Sequence, residues 1–254
     1  MGSYDYNNVY TCHAKGNGTK NIVLIGNSHI MHDYPGIWYM FRNIYKTMTL
    51  FARNGCIPAS KKFQLPGLPE NVKDECVRFI QDTIPSLQQW KEPIDIIIAF
   101  YAFVEIPLLE REEDYKQDEF FKELNDFYST VAKIPKDALL FYQNFPYFEQ
   151  TPINELGARL KWGKSWDTIG DKREDLMKRY TPPLTRVEHI KCDKCIKLKF
   201  MDLWCPLDEK SFCHSVQKEG LIYFVDRSHP SLYGSFFTGK YILDHYNEFM
   251  KHRA

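Results

Sequence analysis

Apolar runs rich in Val, Ile, Phe and Tyr recur along the chain, separated by charged stretches of helical period. That alternation is the pattern of a parallel sheet with crossover helices. The first run, Asn21 to Ile25, ends in Gly26 and leads into a predicted helix from about His29 to Ile44. A second strand is predicted near Thr47 to Ala52, closed by Asn54-Gly55. Ile94 to Tyr101 is the clearest strand, because a continuous apolar run bounded by Pro93 and Pro107 fits a strand covered on both faces. A predicted helix over Glu119 to Ala132 precedes a strand over Ala138 to Gln143, and a fifth strand falls within Ile196 to Leu203. From Pro230 to Arg253 the residues Leu232, Phe236, Phe237, Tyr241 and Ile242 sit near helical spacing, predicting an amphipathic closing helix. The expectation is an α/β fold, one domain over residues 1–254, with a parallel sheet of about five strands. Residues 1–20 read as an N-terminal extension. Residues 152–194, with Trp162, Trp166, Pro182-Pro183 and many charges, read as an irregular excursion over the sheet edge.

Composition narrows the function classes. With 254 residues and 44% hydrophobic, the chain can bury one substantial core. Its 33 basic and 33 acidic residues cancel, so neither nucleic acid nor anionic lipid has an electrostatic driving force for binding. Nucleic acid is therefore not an expected partner. The longest apolar run, Ile94 to Val104, contains Asp95 and falls short of the roughly 20 residues that span a bilayer. No charged leader followed by an apolar segment is visible, so a signal or membrane domain would lie outside this sequence. Seven cysteines, at 12, 56, 76, 192, 195, 205 and 213, point to an oxidising compartment, with three disulfides and one leftover thiol as the simplest arithmetic. Asn17-Gly18-Thr19 is a glycosylation sequon. Cys192-x-x-Cys195 with Cys205 and Cys213-His214 offers an alternative, four zinc ligands, but ribbon sites usually repeat the Cys-x-x-Cys knuckle and disulfides are favoured. No metal or cofactor is expected.

Two short segments carry the chemistry. In a parallel sheet, ligands sit beyond the carboxyl ends of the strands, where tight turns expose side chains and backbone N–H groups. Gly26-Asn27-Ser28-His29 is such a turn. Gly26 allows the bend, and Ser28 stands at the start of a helix whose positive end favours a developing oxyanion. Ser28 also suits a plain helix N-cap. Near the other end of the chain, Asp226-x-x-His229 precedes the closing helix. There His229 can take the Ser28 proton and return it to a leaving group, while Asp226 holds the ring's tautomer. Taken alone, Asp226 reads as a turn cap and His229 as one of eight ordinary histidines. Asn27, His29 and Tyr101 are candidate substrate contacts. His29 and His32 otherwise read as solvated helix positions. Phe103, Trp38 and Tyr34 offer further rings for an acyl or sugar pocket, although core packing is the ordinary role of any one aromatic residue. The charged run Glu110 to Asp118 reads as a solvated face.

Together these segments resemble the SGNH hydrolase superfamily, the GDSL esterases, in which Gly-Asp-Ser follows the first strand and Asp-x-x-His lies near the C-terminus. The resemblance is closer still to the SGNH domain fused behind the membrane-embedded acyltransferase-3 domain of sugar and cell-wall O-acyltransferases, including nematode members. Its motifs here are Gly26-Asn27-Ser28-His29, Cys56 followed by Cys76, and Asp226-Arg-Ser-His229-Pro-Ser-Leu-Tyr-Gly234. The resemblance implies a three-layer α/β/α, flavodoxin-like fold with Ser28 as nucleophile, His229 as base and Asp226 as its orienting acid. It also implies disulfides Cys56–Cys76 and Cys205–Cys213, with Cys12, Cys192 and Cys195 left to supply one pair and one free thiol. Asn27 stands where the family usually has aspartate. The family's further oxyanion donors are a glycine after strand two, for which Gly55 is the candidate beside Ser28 itself, and an asparagine after strand three. Here that segment reads Phe100-Tyr-Ala-Phe-Val-Glu105, without asparagine, an absence that the fused subfamily tends to share. The implied activity is O-acyl transfer or O-deacylation on a carbohydrate or glycoconjugate, in the ER or Golgi lumen or at the cell exterior, with an acyltransferase-3 membrane domain acting in cis. Two other readings stand beside it: an SGNH-fold binding module without turnover, and a zinc-stabilised interaction domain.

Overall fold

A computed structural model describes residues 9–102, 112–205 and 212–253. Its centre is a six-stranded sheet in the order β1-β3-β2-β4-β5-β7. The strands are β1 (Val9–Lys15), β2 (Lys20–Gly26), β3 (Tyr45–Arg53), β4 (Ile96–Phe100), β5 (Ala138–Asn144) and β7 (Cys195–Lys199). All pair in parallel except β1, which runs antiparallel to β3 at one edge. The helices are α1 (Ser28–Met40), α2 (Glu70–Gln88), α3 (Glu119–Val131), α4 (Pro152–Lys161), α5 (Arg173–Glu188), α6 (Phe200–Trp204) and α7 (Leu232–Lys251). A two-stranded antiparallel ribbon pairs β6 (Gly170–Lys172) with β8 (Phe212–His214).

Alternation along the strands builds the three layers. In β2, Ile22 and Leu24 enter one core cluster while Val23 and Ile25 enter the other, because successive side chains leave a strand on opposite faces. The first cluster is closed by Ile30 and Ile37 of α1 and by Ile242 and Tyr246 of α7. The second is closed by Phe120, Leu124, Phe127 and Val131 of α3 with Val187 of α5. Helices α1 and α7 touch main chain to main chain. A Cβ on Gly36 would lie 1.8 Å from the Ser235 carbonyl oxygen, and one on Gly239 would lie 2.4 Å from the Gly36 oxygen.

Several expectations change. The N-terminal stretch is not merely an extension: Val9–Lys15 is an edge strand and Lys20 opens β2. Five of the seven β1 residues are exposed, so main-chain bonds to β3 largely hold it and no apolar alternation betrays it. The 152–194 stretch holds α4, β6 and α5, and α5 runs through Pro182-Pro183, the dipeptide that argued against a helix. Leu176 and Val187 anchor α5 to the two core clusters, so packing outweighs propensity there. Helix α1 ends at Met40, short of Ile44, and the last predicted strand stops at Lys199 where α6 begins. In the charged run 110–118, residues 110 and 111 lie outside the described residues. Asp118 is not simply solvated: it caps α3 through the Phe121 N–H and grips the buried Arg186 guanidinium with both oxygens at 2.8 and 2.9 Å.

Three disulfides join Cys56 to Cys76, Cys192 to Cys195 and Cys205 to Cys213, leaving Cys12 as an exposed thiol on β1. The four sulfurs considered as zinc ligands are thus consumed in two separate bridges, which removes that arrangement.

Candidate active site

The site is assembled at the carboxyl end of the sheet. Strand β2 ends at Gly26, opposite Phe100 of β4 and Ala52 of β3. A Cβ on Gly26 would meet the Phe100 carbonyl oxygen at 2.0 Å, so only glycine lets the turn press this closely on β4. The cap of α1 is Asn27, not Ser28: the Asn27 side-chain oxygen accepts from the His29 N–H at 3.2 Å. The same oxygen accepts from the Ala102 N–H, and the Asn27 amide donates to the Ala102 carbonyl, both at 3.4 Å. Asn27 therefore relieves Ser28 of capping and stitches the turn to the end of β4. Being buried and occupied by main chain, it is not a substrate contact.

Across the chain, the segment before α7 folds back on itself. Asp226 Oδ1 accepts the N–H groups of Ser228 and His229 at 2.9 and 2.8 Å, and the Val225 N–H donates to the His229 carbonyl at 3.0 Å. Arg227 is clamped to Phe148 by a 2.8 Å bond from its Nε and a 2.7 Å bond to its carbonyl. Asp226 Oδ2 then lies 2.7 Å from His229 Nδ1, and His229 Nε2 lies 2.6 Å from Ser28 Oγ. A carboxylate only accepts, so Nδ1 carries the proton and Nε2 accepts from the serine hydroxyl. Burial works to raise the Asp226 carboxyl, but the hydrogen bond and charge of His229 and two backbone N–H groups outweigh it, holding the carboxyl well below its ordinary range.

Two further histidines flank the His229 ring. His29 lies 4.5 Å and His32 4.6 Å from it, ring centre to ring centre, at tilts of 35° and 37°. His29 is buried against Phe145 and bonds Ser228 Oγ through Nε2 at 3.3 Å, so it backs His229 and is neither solvated nor a substrate contact. His32 lies 3.3 Å through Nδ1 from the Pro230 carbonyl. Burial, followed by the neighbouring His229, pushes His29 well below the usual imidazole range and His32 down to about 4, so both rings are neutral near pH 7. The sequence signal that would have found this sandwich is His29-x-x-His32, one helical turn apart on α1.

The remaining candidates separate. Tyr101 is fully buried in the opposite core layer, edge-on to Phe127, because it follows β4 with its side chain on the face away from α1. It cannot meet a substrate. Phe103 lies outside the described residues, and Trp38 is exposed on α1. Gly55 stands in the turn closed by Cys56 N–H on Arg53, with φ of +71°. Because Ala52 pairs with Gly26, Gly55 lies at the same sheet end as Ser28. Asp33, one turn further along α1 from His29, escaped sequence reading altogether. It is fully buried, bonded to the Tyr142 hydroxyl, and its carboxyl is pushed up to about 7 by burial despite the hydroxyls of Tyr142 and Thr238.

A mostly parallel α/β/α sandwich with a serine at the carboxyl end of a central strand, and an Asp-x-x-His segment bonded to it from the far end of the chain, is the architecture of SGNH-type hydrolases and acyltransferases. The chain belongs to the family of SGNH domains fused to AT3 domains, whose description matches residues 2–243. Among solved structures it is similar to the periplasmic domain of a lipopolysaccharide acetyltransferase from Salmonella ser. Paratyphi A, at 12% identity and TM-score 0.57, covering 90% of this chain and 84% of that one. It is more distantly similar to the C-terminal catalytic domain of Streptococcus pneumoniae peptidoglycan O-acetyltransferase A, at 10% identity and TM-score 0.38 over 92% of this chain and 97% of that one. No curated protein matches the sequence significantly.

Proposed function

We propose that Ser28, His229 and Asp226 form the catalytic triad of an O-acyltransferase or O-deacylase acting on a carbohydrate or glycoconjugate. The observation that carries this is the continuous line of bonds from Asp226 through His229 to Ser28, at 2.7 and 2.6 Å, with the ring's tautomer set by the carboxylate. Ser28 Oγ attacks the ester carbonyl as its proton passes to His229 Nε2, forming an acyl-serine once His229 returns that proton to the departing alkoxide. Water or a sugar hydroxyl, deprotonated by the same nitrogen, then releases the acyl group. Asp226, held ionised, stabilises the imidazolium formed in each half-reaction. The oxyanion is received by the Ser28 N–H at the positive end of α1 and by the Gly55 N–H across the sheet. No cofactor is needed for this route. Neutral His29 and His32 shield the imidazolium without adding like charge.

The disulfides and the family's fusion to AT3 domains support an extracytoplasmic location, with a membrane domain in cis supplying the acyl group. Hydrolysis of p-nitrophenyl acetate by wild type and Ser28→Ala tests the triad. Loss of turnover to the buffer rate in Ser28→Ala is expected, and equal rates would exclude Ser28 as nucleophile.

A further inference from the structure

Beside the catalytic loop lies a concavity of about 370 Å³ that the triad does not use. Its size falls within the about 300–1,000 Å³ typical of small-molecule sites. Its floor is aromatic: Trp204 packs 5.0 Å from Tyr223 and 6.0 Å from Phe237, and Tyr223 and Phe237 meet edge to face at 5.5 Å. Phe237 is 37% exposed, so part of its ring is open to a ligand. The rim is polar, with Asp167, Gln217, Lys218 and Glu219.

That rim is built rather than incidental. Gln217 to Gly220 form a tight turn closed by bonds of 2.9 Å between the Gly220 N–H and the Gln217 carbonyl and 2.8 Å between the Gln217 N–H and the Leu221 carbonyl. Trp166 Nε1 pins the turn by donating to the Lys218 carbonyl at 3.0 Å. The Gln217 side-chain oxygen accepts from the Tyr233 hydroxyl at 2.8 Å, which holds the side chain in place while its amide N–H groups are not engaged by that bond. The Cys205–Cys213 bridge fixes the segments carrying Trp204 and His214 to one another.

We propose that this concavity binds a saccharide ring of the acceptor, a deepening that rests on the glycan reading given above. A pyranose presents one face of polarised C–H bonds, which the negative face of an aromatic ring attracts, and an equatorial belt of hydroxyls needing both donors and acceptors. The rings of Trp204, Tyr223 and Phe237 meet the first requirement. The rim meets the second with two carboxylates, an ammonium and an amide, a mixture of signs suited to a neutral polyhydroxyl ligand rather than a simple anion or cation. An acyl chain would use the floor and strip water from the rim groups without replacing it. The concavity adjoins the acid-base segment. Tyr223 lies three residues before Asp226 and its carbonyl takes the Ser231 N–H, while Trp204 packs 5.0 Å from Phe224, which bridges to Pro230 beside His229. The aromatic floor is thus the underside of the loop that presents Asp226 and His229.

Saturation-transfer NMR on the Ser28→Ala protein tests the proposal without depending on turnover. The probes are methyl glycosides of glucose, galactose, mannose and N-acetylglucosamine, with sodium octanoate as the apolar competitor. At least one glycoside should bind, and Phe237→Ala and Gln217→Ala, each shown by near-ultraviolet circular dichroism to keep native packing, should each weaken it fivefold or more. Absence of glycoside binding, binding indifferent to both substitutions, or preference for octanoate would overturn the assignment. Failure of the triad shows instead as absent Ser28-dependent esterase activity in wild type, so the two readings fail separately.

Discussion

Replacing Gly36 by alanine should damage activity without touching any group that carries chemistry. The added methyl would stand 1.8 Å from the Ser235 carbonyl oxygen and 2.2 Å from its carbon. A relaxed carbon-to-oxygen contact needs about 3.3 Å, so α1 and α7 must part by roughly 1.5 Å at this point. Both obstructing atoms are main chain, and no side-chain rotation relieves them. Overpacking of this kind costs about 1–3 kcal/mol, and the better helix propensity of alanine returns about 1 kcal/mol. Because the backbone carries the strain, the upper end applies, leaving a net loss of about 2 kcal/mol and a Tm lowered by roughly 4–8 °C. Ser28 opens α1 and His229 lies just before α7, so parting the helices stretches the 2.6 Å bond between them beyond hydrogen-bond range. A misplacement near 1 Å costs about 100-fold in rate. The assay is p-nitrophenyl acetate hydrolysis with a thermal melt. Gly157→Ala serves as control, because a methyl there meets nothing within 4 Å of the α4 surface and should raise stability by up to about 1 kcal/mol with activity intact. A Gly36→Ala protein with wild-type Tm and rate would refute the view that helix contact sets the triad distance.

Three more outcomes follow from the geometry. Asp226→Asn presents an amide to His229 Nδ1, favours the wrong tautomer and should lower kcat by about 10⁴; a loss under tenfold in steady-state assays would remove Asp226 from the triad. Asp33 has its folded pKa raised from 3.8 to about 7, so its contribution to stability is full below the lower value and is lost as pH rises through 7, about 4 kcal/mol in all by pH 8. Asp33→Asn keeps an acceptor for Tyr142 and should gain on wild type as pH rises from 5 to about 7 and level off above it in denaturant melts, whereas a pH-independent difference would contradict the buried neutral acid. Arg186→Met leaves the partly buried Asp118 with its capping bond from the Phe121 N–H and should cost about 1.5–3 kcal/mol in the same melts; a change below about 0.5 kcal/mol would mean the pair is solvated.

The parallel strands were legible because their burial is written locally: Ile96 to Phe100 is apolar at every position and buried on both faces. Ser28, Asp226 and His229 were picked out by two weak local signals, a tight turn and Asp-x-x-His, joined by the family resemblance, and the structure brings the three side chains within hydrogen-bond distance. What escaped depends on tertiary context. The β1 strand is solvated on most positions and held through its backbone, so its composition says nothing of pairing. Helix α5 contains two prolines, which local propensity penalises, and it is anchored by Leu176 and Val187 in the core. Asn27, His29 and Tyr101 were assigned to substrate by proximity along the chain, but the direction of a side chain is set by strand pleat and helix phase. Tyr101 follows Phe100 by one residue and therefore faces the opposite layer. Asp33 carries no motif, and only a folded core could turn an ordinary carboxyl into a buried acid.

The bond between Ser28 and His229 spans 201 residues. At about 5–20 residues per second, roughly 10–40 s of synthesis separate the serine from its base. During that interval the nascent chain holds an ordinary hydroxyl with no partner to activate it. Under the proposed mechanism, the nucleophile would gain its base only when the segment before α7 meets the start of α1. Ester turnover would then report that both ends of the domain have met.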